Sequence, residues 1–129
     1  MIHEEICTYE VAKLAKEKGF PQHIGNDAYI VENEYDDEYE VECCYPIQFI
    51  PDYLPIITAP TQGLLQRWFR EEKRIEVNAF WDNTDNMWLG YAQEMDAPDL
   101  VGSFPLNKPF STYELALEDA LKYALENLV

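Results

Sequence analysis

The stretch Ile75-Glu76-Val77-Asn78-Ala79-Phe80-Trp81-Asp82-Asn83-Thr84-Asp85-Asn86-Met87-Trp88-Leu89-Gly90-Tyr91-Ala92-Gln93 decides the fold. Ile75, Val77, Ala79 and Trp81 recur at every second position, which predicts a strand over about 75–81 with these four on one face. Asp82 to Asn86 is a cluster of turn formers. A second strand then runs from Met87 to about Gln93. With Trp81 opposite Met87, Ala79 meets Leu89, Val77 meets Tyr91, and Phe80 meets Trp88 on the reverse face. A third, shorter strand is expected over Leu100 to Phe104.

Two helices bracket these strands. The first starts near Pro60, a residue suited to an opening turn, and spans about 60–73. Leu64 with Trp68 and Leu65 with Phe69 stand four residues apart, while Arg67, Arg70, Lys73 and Arg74 crowd the end, where cations suit the helix dipole. The second is expected over 111–128. Ser111-Thr112-Tyr113-Glu114 has capping-box spacing, Phe110 and Leu115 fit a hydrophobic staple, and Thr112 is an equally good cap. Leu117, Ala120, Leu121, Ala124 and Leu128 are expected to form its buried stripe.

Upstream, Thr8 caps a helix expected over 8–18, with Val11, Leu14 and Ala15 as its apolar stripe. Gly19 suits the left-handed stop, Phe20 folds back on the last turn, and Pro21 prevents continuation. Residues 19–66 contain no Lys or Arg but nine acids. Ala28 to Val31 is a short apolar strand. Tyr39-Glu40-Val41-Glu42-Cys43 alternates, so Glu38, Glu40 and Glu42 share one face. Pro46, Pro51, Pro55 and Pro60 then punctuate an apolar stretch. That density excludes helix and central strand, and predicts an extended arm lying across the domain.

The chain has 129 residues, 47% of them hydrophobic, which suits one packed domain over 1–129 rather than a disordered chain. Residues 59–129 form an α-β-β-β-α body. Residues 1–58 add the first helix, the acidic segment and the arm. The expected class is α+β: a three-stranded antiparallel sheet packed against two helices. Nine Lys plus Arg face 25 Asp plus Glu, for a formal charge of −16. That balance argues against direct binding to nucleic acid or an anionic membrane, both of which need a cationic surface. Met1-Ile2-His3-Glu4-Glu5 is acidic where a secretory leader is basic, and no apolar run approaches a membrane span. Cys7, Cys43 and Cys44 make an odd count without metal-ligand spacing to His3 or His23. The expected setting is therefore the reducing cytoplasm.

Ala59-Pro60-Thr61-Gln62-Gly63-Leu64-Leu65-Gln66-Arg67-Trp68-Phe69-Arg70-Glu71 resembles a segment of small uncharacterised proteins of Bacteroides-type bacteria and their phages, prophages and mobile elements. Tyr113-Glu114-Leu115-Ala116-Leu117-Glu118-Asp119-Ala120-Leu121 resembles the same group. The similarity covers about 8–20 and 59–129. It implies a bacterial or viral origin and an intracellular setting, and carries over no activity or site residues.

Several constellations bear on function. Glu32, Glu34, Asp36 and Asp37 are carboxylates of the kind that ligate Ca²⁺ or Mg²⁺, but their spacing and lack of glycine do not match a calcium loop. A solvated acidic face is the plainer reading, so no metal or other cofactor is expected. The same acids, with Glu38, Glu40 and Glu42, permit a second hypothesis. The chain would mimic a phosphate backbone and occupy a host nucleic-acid-binding protein. Phe80 and Trp88, paired on the sheet face away from the helices, would form a partner-binding patch unless the Pro-rich arm covers them. The order helix, three strands, helix over 60–128 matches the double-stranded-RNA-binding topology. However, the last helix carries Glu114, Glu118, Asp119 and Glu126 against Lys122 alone, which opposes RNA binding. Neither His adjoins a nucleophile recognisably, and no Gly-rich phosphate loop occurs, so no catalytic residue is named. The expectation is a non-enzymatic accessory protein of phage or mobile-element type, acting through protein contacts. The alternatives are the acidic nucleic-acid mimic and a small hydrolase or metal-dependent enzyme.

Overall fold

The computed structural model describes residues 5–22, 28–31, 40–42, 56–96 and 108–129. The class is α+β. Among the described residues the helices are α1 (Tyr9–Glu17), α2 (Gln62–Trp68) and α3 (Tyr113–Asn127). The strands are β1 (Ala28–Val31), β2 (Glu40–Glu42), β3 (Ile56–Ala59), β4 (Ile75–Asp82) and β5 (Met87–Glu94).

Each helix begins on a threonine. The Oγ1 atoms of Thr8, Thr61 and Thr112 accept from the backbone N–H groups of Val11, Leu64 and Leu115 at 3.4, 3.1 and 3.2 Å. Each cap satisfies a donor that the helix leaves unpaired, and is worth about 1 kcal/mol. Thr112, not Ser111, is thus the cap of α3. Phe110 and Leu115 therefore no longer occupy the two staple positions. Phe110 instead exchanges backbone hydrogen bonds with Trp88 at 2.8 and 2.9 Å, and Leu115 is 53% exposed. Gly19 stops α1 with φ +97°, and the Phe20 N–H returns to the Ala15 carbonyl at 2.8 Å.

α2 departs from the expected single helix to residue 73. After Trp68 the chain widens into a π-helical turn, Phe69–Lys73, and closes on Arg74 in the left-handed region at φ 58°. The wider turn begins where two consecutive bulky side chains, Trp68 and Phe69, are both buried, their ring centroids 5.2 Å apart. Arg74 is then tied to the end of β5. Its carbonyl accepts from the Met95 N–H, and its guanidinium pairs with both carboxylate oxygens of Asp96.

β4 and β5 form an antiparallel hairpin one residue out of the expected register. Asp82 pairs with Met87, Trp81 with Trp88, Phe80 with Leu89 and Ala79 with Gly90. The cause lies in the turn. It takes four residues, 83–86, rather than five, with Asn86 at φ 53°, a conformation asparagine tolerates. Because side chains alternate, this slip moves Trp88 to the opposite face from Phe80.

α3 lies on the hairpin face that bears Val77, Gly90 and Ala92. The approach is so close that a Cβ on Gly90 would stand 2.6 Å from the Ala116 carbonyl oxygen and 2.9 Å from the Ala120 Cβ. Leu117, Leu121 and Leu125 are fully buried there, each contributing about 1.5–3 kcal/mol by leaving water. On its other side α3 meets α1, whose Val11 and Ala15 belong to the same core as Phe69, Val77 and Leu121. α1 is therefore integral to the core rather than an extension of it. Its Ala12 packs on Ile57 and Ala59 of β3.

β3 is one edge of a second, three-stranded antiparallel sheet of order β2-β1-β3. The expected Pro-rich arm is thus a paired strand over its last residues. Pro55 and Pro60 flank Ile56–Ala59, leaving four N–H-bearing residues that make an edge ladder without proline. The expected strand around 39–43 is described as Glu40–Glu42. The rest of the arm (45–55) and the expected strand over 100–104 lie outside the described residues. Among the described residues the sheet beneath α3 consists of β4 and β5. Among the described residues no helix is long and apolar enough to cross a membrane.

Candidate functional site: the turn end of the hairpin

The register places a chain of rings along one end of the molecule. Trp81 stands edge-on to Trp88 at 5.4 Å, and Trp88 edge-on to Tyr113 of α3 at 5.4 Å. Such T-shaped pairs add about 0.5–1.5 kcal/mol beyond their buried area. The Tyr113 hydroxyl donates to Asn78 Oδ1 at 2.8 Å, and the same oxygen accepts from the Ala79 N–H at 2.8 Å. Tyr91 also hydrogen-bonds Asn78. Burial pushes the Tyr91 phenol above its ordinary range, Glu76 adds to this, and the Asn78 contact opposes it. The rings are therefore fixed at their inner end to α3 and to β4. The outer member, Trp81, is 43% exposed. On the other face Phe80 is 39% exposed beside Tyr91, centroids 6.2 Å apart.

The turn beyond them is polar and acidic. Asp82 Oδ1 accepts from the Thr84 N–H at 2.9 Å, which sets the turn, and Asp85 is exposed. Two rigid aromatic surfaces thus flank a turn that carries two carboxylates. The outer edge of β4 is closed to strand addition at its middle. Gln66 Nε2 donates to the Val77 carbonyl at 2.9 Å, and Asn78 occupies the Ala79 N–H.

Of the expected partner-binding residues, Phe80 is here and exposed, while Trp88 is half-buried on the opposite face, under Tyr113. Leu89 takes the place opposite Phe80 that pairing arithmetic assigned to Trp88, and Trp81 is the second exposed ring. The signal that finds it is the length of the turn: four residues rather than five put Trp81 against Trp88. Glu40 and Glu42 lie on β2, an edge strand of the second sheet. Glu38 and the acid run Glu32, Glu34, Asp36 and Asp37 lie outside the described residues, as do His3, His23, Cys43 and Cys44.

Five of the nine cations are engaged with acids or aromatic rings. Arg67 pairs with Glu71, Arg74 with Asp96, and Lys122 with Glu10 and Glu126. Lys73 lies over the Trp68 ring and Lys108 over the Phe110 ring. Cys7 is buried. Burial, then the charges of Glu118 and Glu5, push its thiol up, so it stays protonated at neutral pH. The chain matches no known family model, and neither a curated protein nor a solved structure is similar to it.

Proposed function

We propose that the chain is a non-enzymatic interaction protein that docks a cationic segment of a partner protein at the turn end of the β4–β5 hairpin. The observation that carries this reading is the exposure of Phe80 and Trp81 on opposite faces beside Asp82 and Asp85. Aromatic rings held in place lose little freedom on contact and dominate interface energies. An Arg or Lys over an aromatic ring with a carboxylate nearby is a favourable pairing, worth about 0.5–2 kcal/mol. The net charge of −16 steers a basic partner toward the molecule. The sequence resemblance to small phage and mobile-element proteins supports an accessory role in a bacterial cytoplasm.

A second reading makes the chain an acidic decoy for a nucleic-acid-binding protein. It draws on Glu40 and Glu42 occupying an edge strand. One experiment separates the two. A photo-cross-linker at position 84 should capture a basic protein from a bacterial host in the docking reading, and Trp81→Ala should abolish the capture. In the decoy reading capture survives Trp81→Ala and is lost when Glu40 and Glu42 are both changed to Gln. Capture that is indifferent to all three residues rejects both.

A further inference from the structure

We propose that a cleft where α1, α2 and α3 begin holds a primary ammonium group. The cleft has a volume of about 260 Å³ and is walled by Glu5, Thr8, Gln62, Glu114 and Glu118, with Ile6 and Leu115 supplying apolar surface. That is below the range of drug-sized pockets and suits a single side chain or a small amine.

Gln62 supplies the observation that points to a ligand. The residue is buried, at 4% exposure. Both Nε2 hydrogens are used, one to the Glu114 carbonyl and one to Glu118 Oε2, each at 2.9 Å. These neighbours are both acceptors, which fixes the amide orientation. The Oε1 atom is left without a donor among the described residues. A buried amide oxygen calls for one.

The surrounding charge selects the kind of donor. Glu118 spends one hydrogen bond on each oxygen, to Gln62 and to the Thr8 N–H at 2.6 Å, and a carboxylate accepts about four. Glu5 and Glu114 add two further negative charges at the cleft. The starts of α1 and α3 oppose them with roughly half a positive charge each, which three carboxylates outweigh. Among the described residues no three His, Cys, Asp or Glu side chains converge to hold a metal ion. An ammonium group, with three divergent donors, suits Gln62 Oε1 and two carboxylates, while Ile6 and Leu115 receive the methylene stem. This inference stands apart from the hairpin reading, since it uses none of the residues at the turn.

The test is NMR titration of the full chain with 1,5-diaminopentane and, separately, with a blocked tripeptide containing one lysine, at constant ionic strength. The Thr8 amide and Gln62 side-chain signals are followed, with tetramethylammonium, which cannot donate, as control. Saturable shifts at both sites, with affinity at least about tenfold above the control, are expected from one or both probes. The tighter probe identifies the source as free amine or lysine side chain. Glu114→Gln, on an exposed position, should weaken the binding about fivefold or more. Gln62→Met should weaken it further, while Trp81→Ala leaves it intact. Equal response to tetramethylammonium, unsaturable shifts, or binding unchanged in Glu114→Gln would mean that the cleft holds only water, and would overturn the proposal.

Discussion

Glu118 of α3 accepts a hydrogen bond from the backbone N–H of Thr8 at 2.6 Å, across 110 residues of sequence. The residue that caps the first helix is thus itself held by a carboxylate from the last. The second oxygen of Glu118 binds Gln62 at the first position of α2, so one side chain ties the starts of all three helices together. Hydrogen bonds to a charged group contribute about 1.5–3 kcal/mol when shielded, and less where water reaches them. Glu118→Ala should lower unfolding free energy by about 1–2 kcal/mol in urea titrations, and Glu118→Gln by less. No loss for the alanine variant would show that the contact is idle.

Gly90→Ala tests the closeness of α3 to the hairpin. The added methyl meets a backbone oxygen at 2.6 Å, which cannot rotate away as a side chain would. The helix must shift, at a cost of about 1–3 kcal/mol for overpacking, more if α3 lifts over its whole length. Thermal unfolding should fall markedly. A Tm within a degree of the parent would contradict the packing described.

The three tryptophans differ in access to water. Trp68 is 8% exposed, Trp88 is half-buried beneath Tyr113, and Trp81 is open. Acrylamide quenching of the parent chain should therefore contain one strongly accessible component, and Trp81→Phe should remove it. Quenching that persists in this variant would place the exposed indole elsewhere and withdraw support from the hairpin docking surface.

Asp96 gives a pH signature. Its hydrogen bond to Arg74, then the charge of Arg74, hold its carboxyl below the ordinary value of 3.8. A carboxyl whose folded pKa is depressed stabilises the fold above its unfolded pKa and loses that contribution as pH falls through the folded value. The contribution therefore persists at neutral pH and fades below about 3.8. NMR titration of Asp96 should show a midpoint below 3.8 in the parent, returning toward it in Arg74→Gln. An unshifted midpoint in the parent would mean that the bidentate contact is not held in solution.

Much of the architecture was legible because local chemistry and packing agree. Thr8, Gly19 and Phe20 bound the first helix by chemistry acting within a few residues. Of the expected stripe on α3, Leu117, Ala120, Leu121 and Ala124 are buried and Leu128 is half-buried, while Leu125, outside that stripe, is fully buried. Legibility failed where the outcome depended on counting. The alternation over 75–81 and 87–93 fixes two strands, but their register hangs on whether Asp82 joins the strand or the turn. One residue decided whether Trp81 or Phe80 faces Trp88, and with it the composition of the candidate site. The π-helical turn over Phe69–Lys73 left no periodic signature. The Gln62–Glu118 contact joins residues 56 apart and was invisible for that reason. The pairing of β3 with β1 was hidden by the prolines around it, which mark an edge strand as readily as an unpaired arm.

The position of α1 between α3 and β3 sets an order on biosynthesis. As the ribosome extends the chain, α1 is made well before α3, the helix with which its Val11 and Ala15 share a core. A nine-residue helix has little independent stability, so it must wait, its apolar stripe open to chaperones, until α3 clears the exit tunnel. Contacts of such wide sequence separation also slow refolding. The core is therefore closed only once α3 has been made, and a nascent chain stalled before residue 113 should display Val11 and Ala15 to solvent.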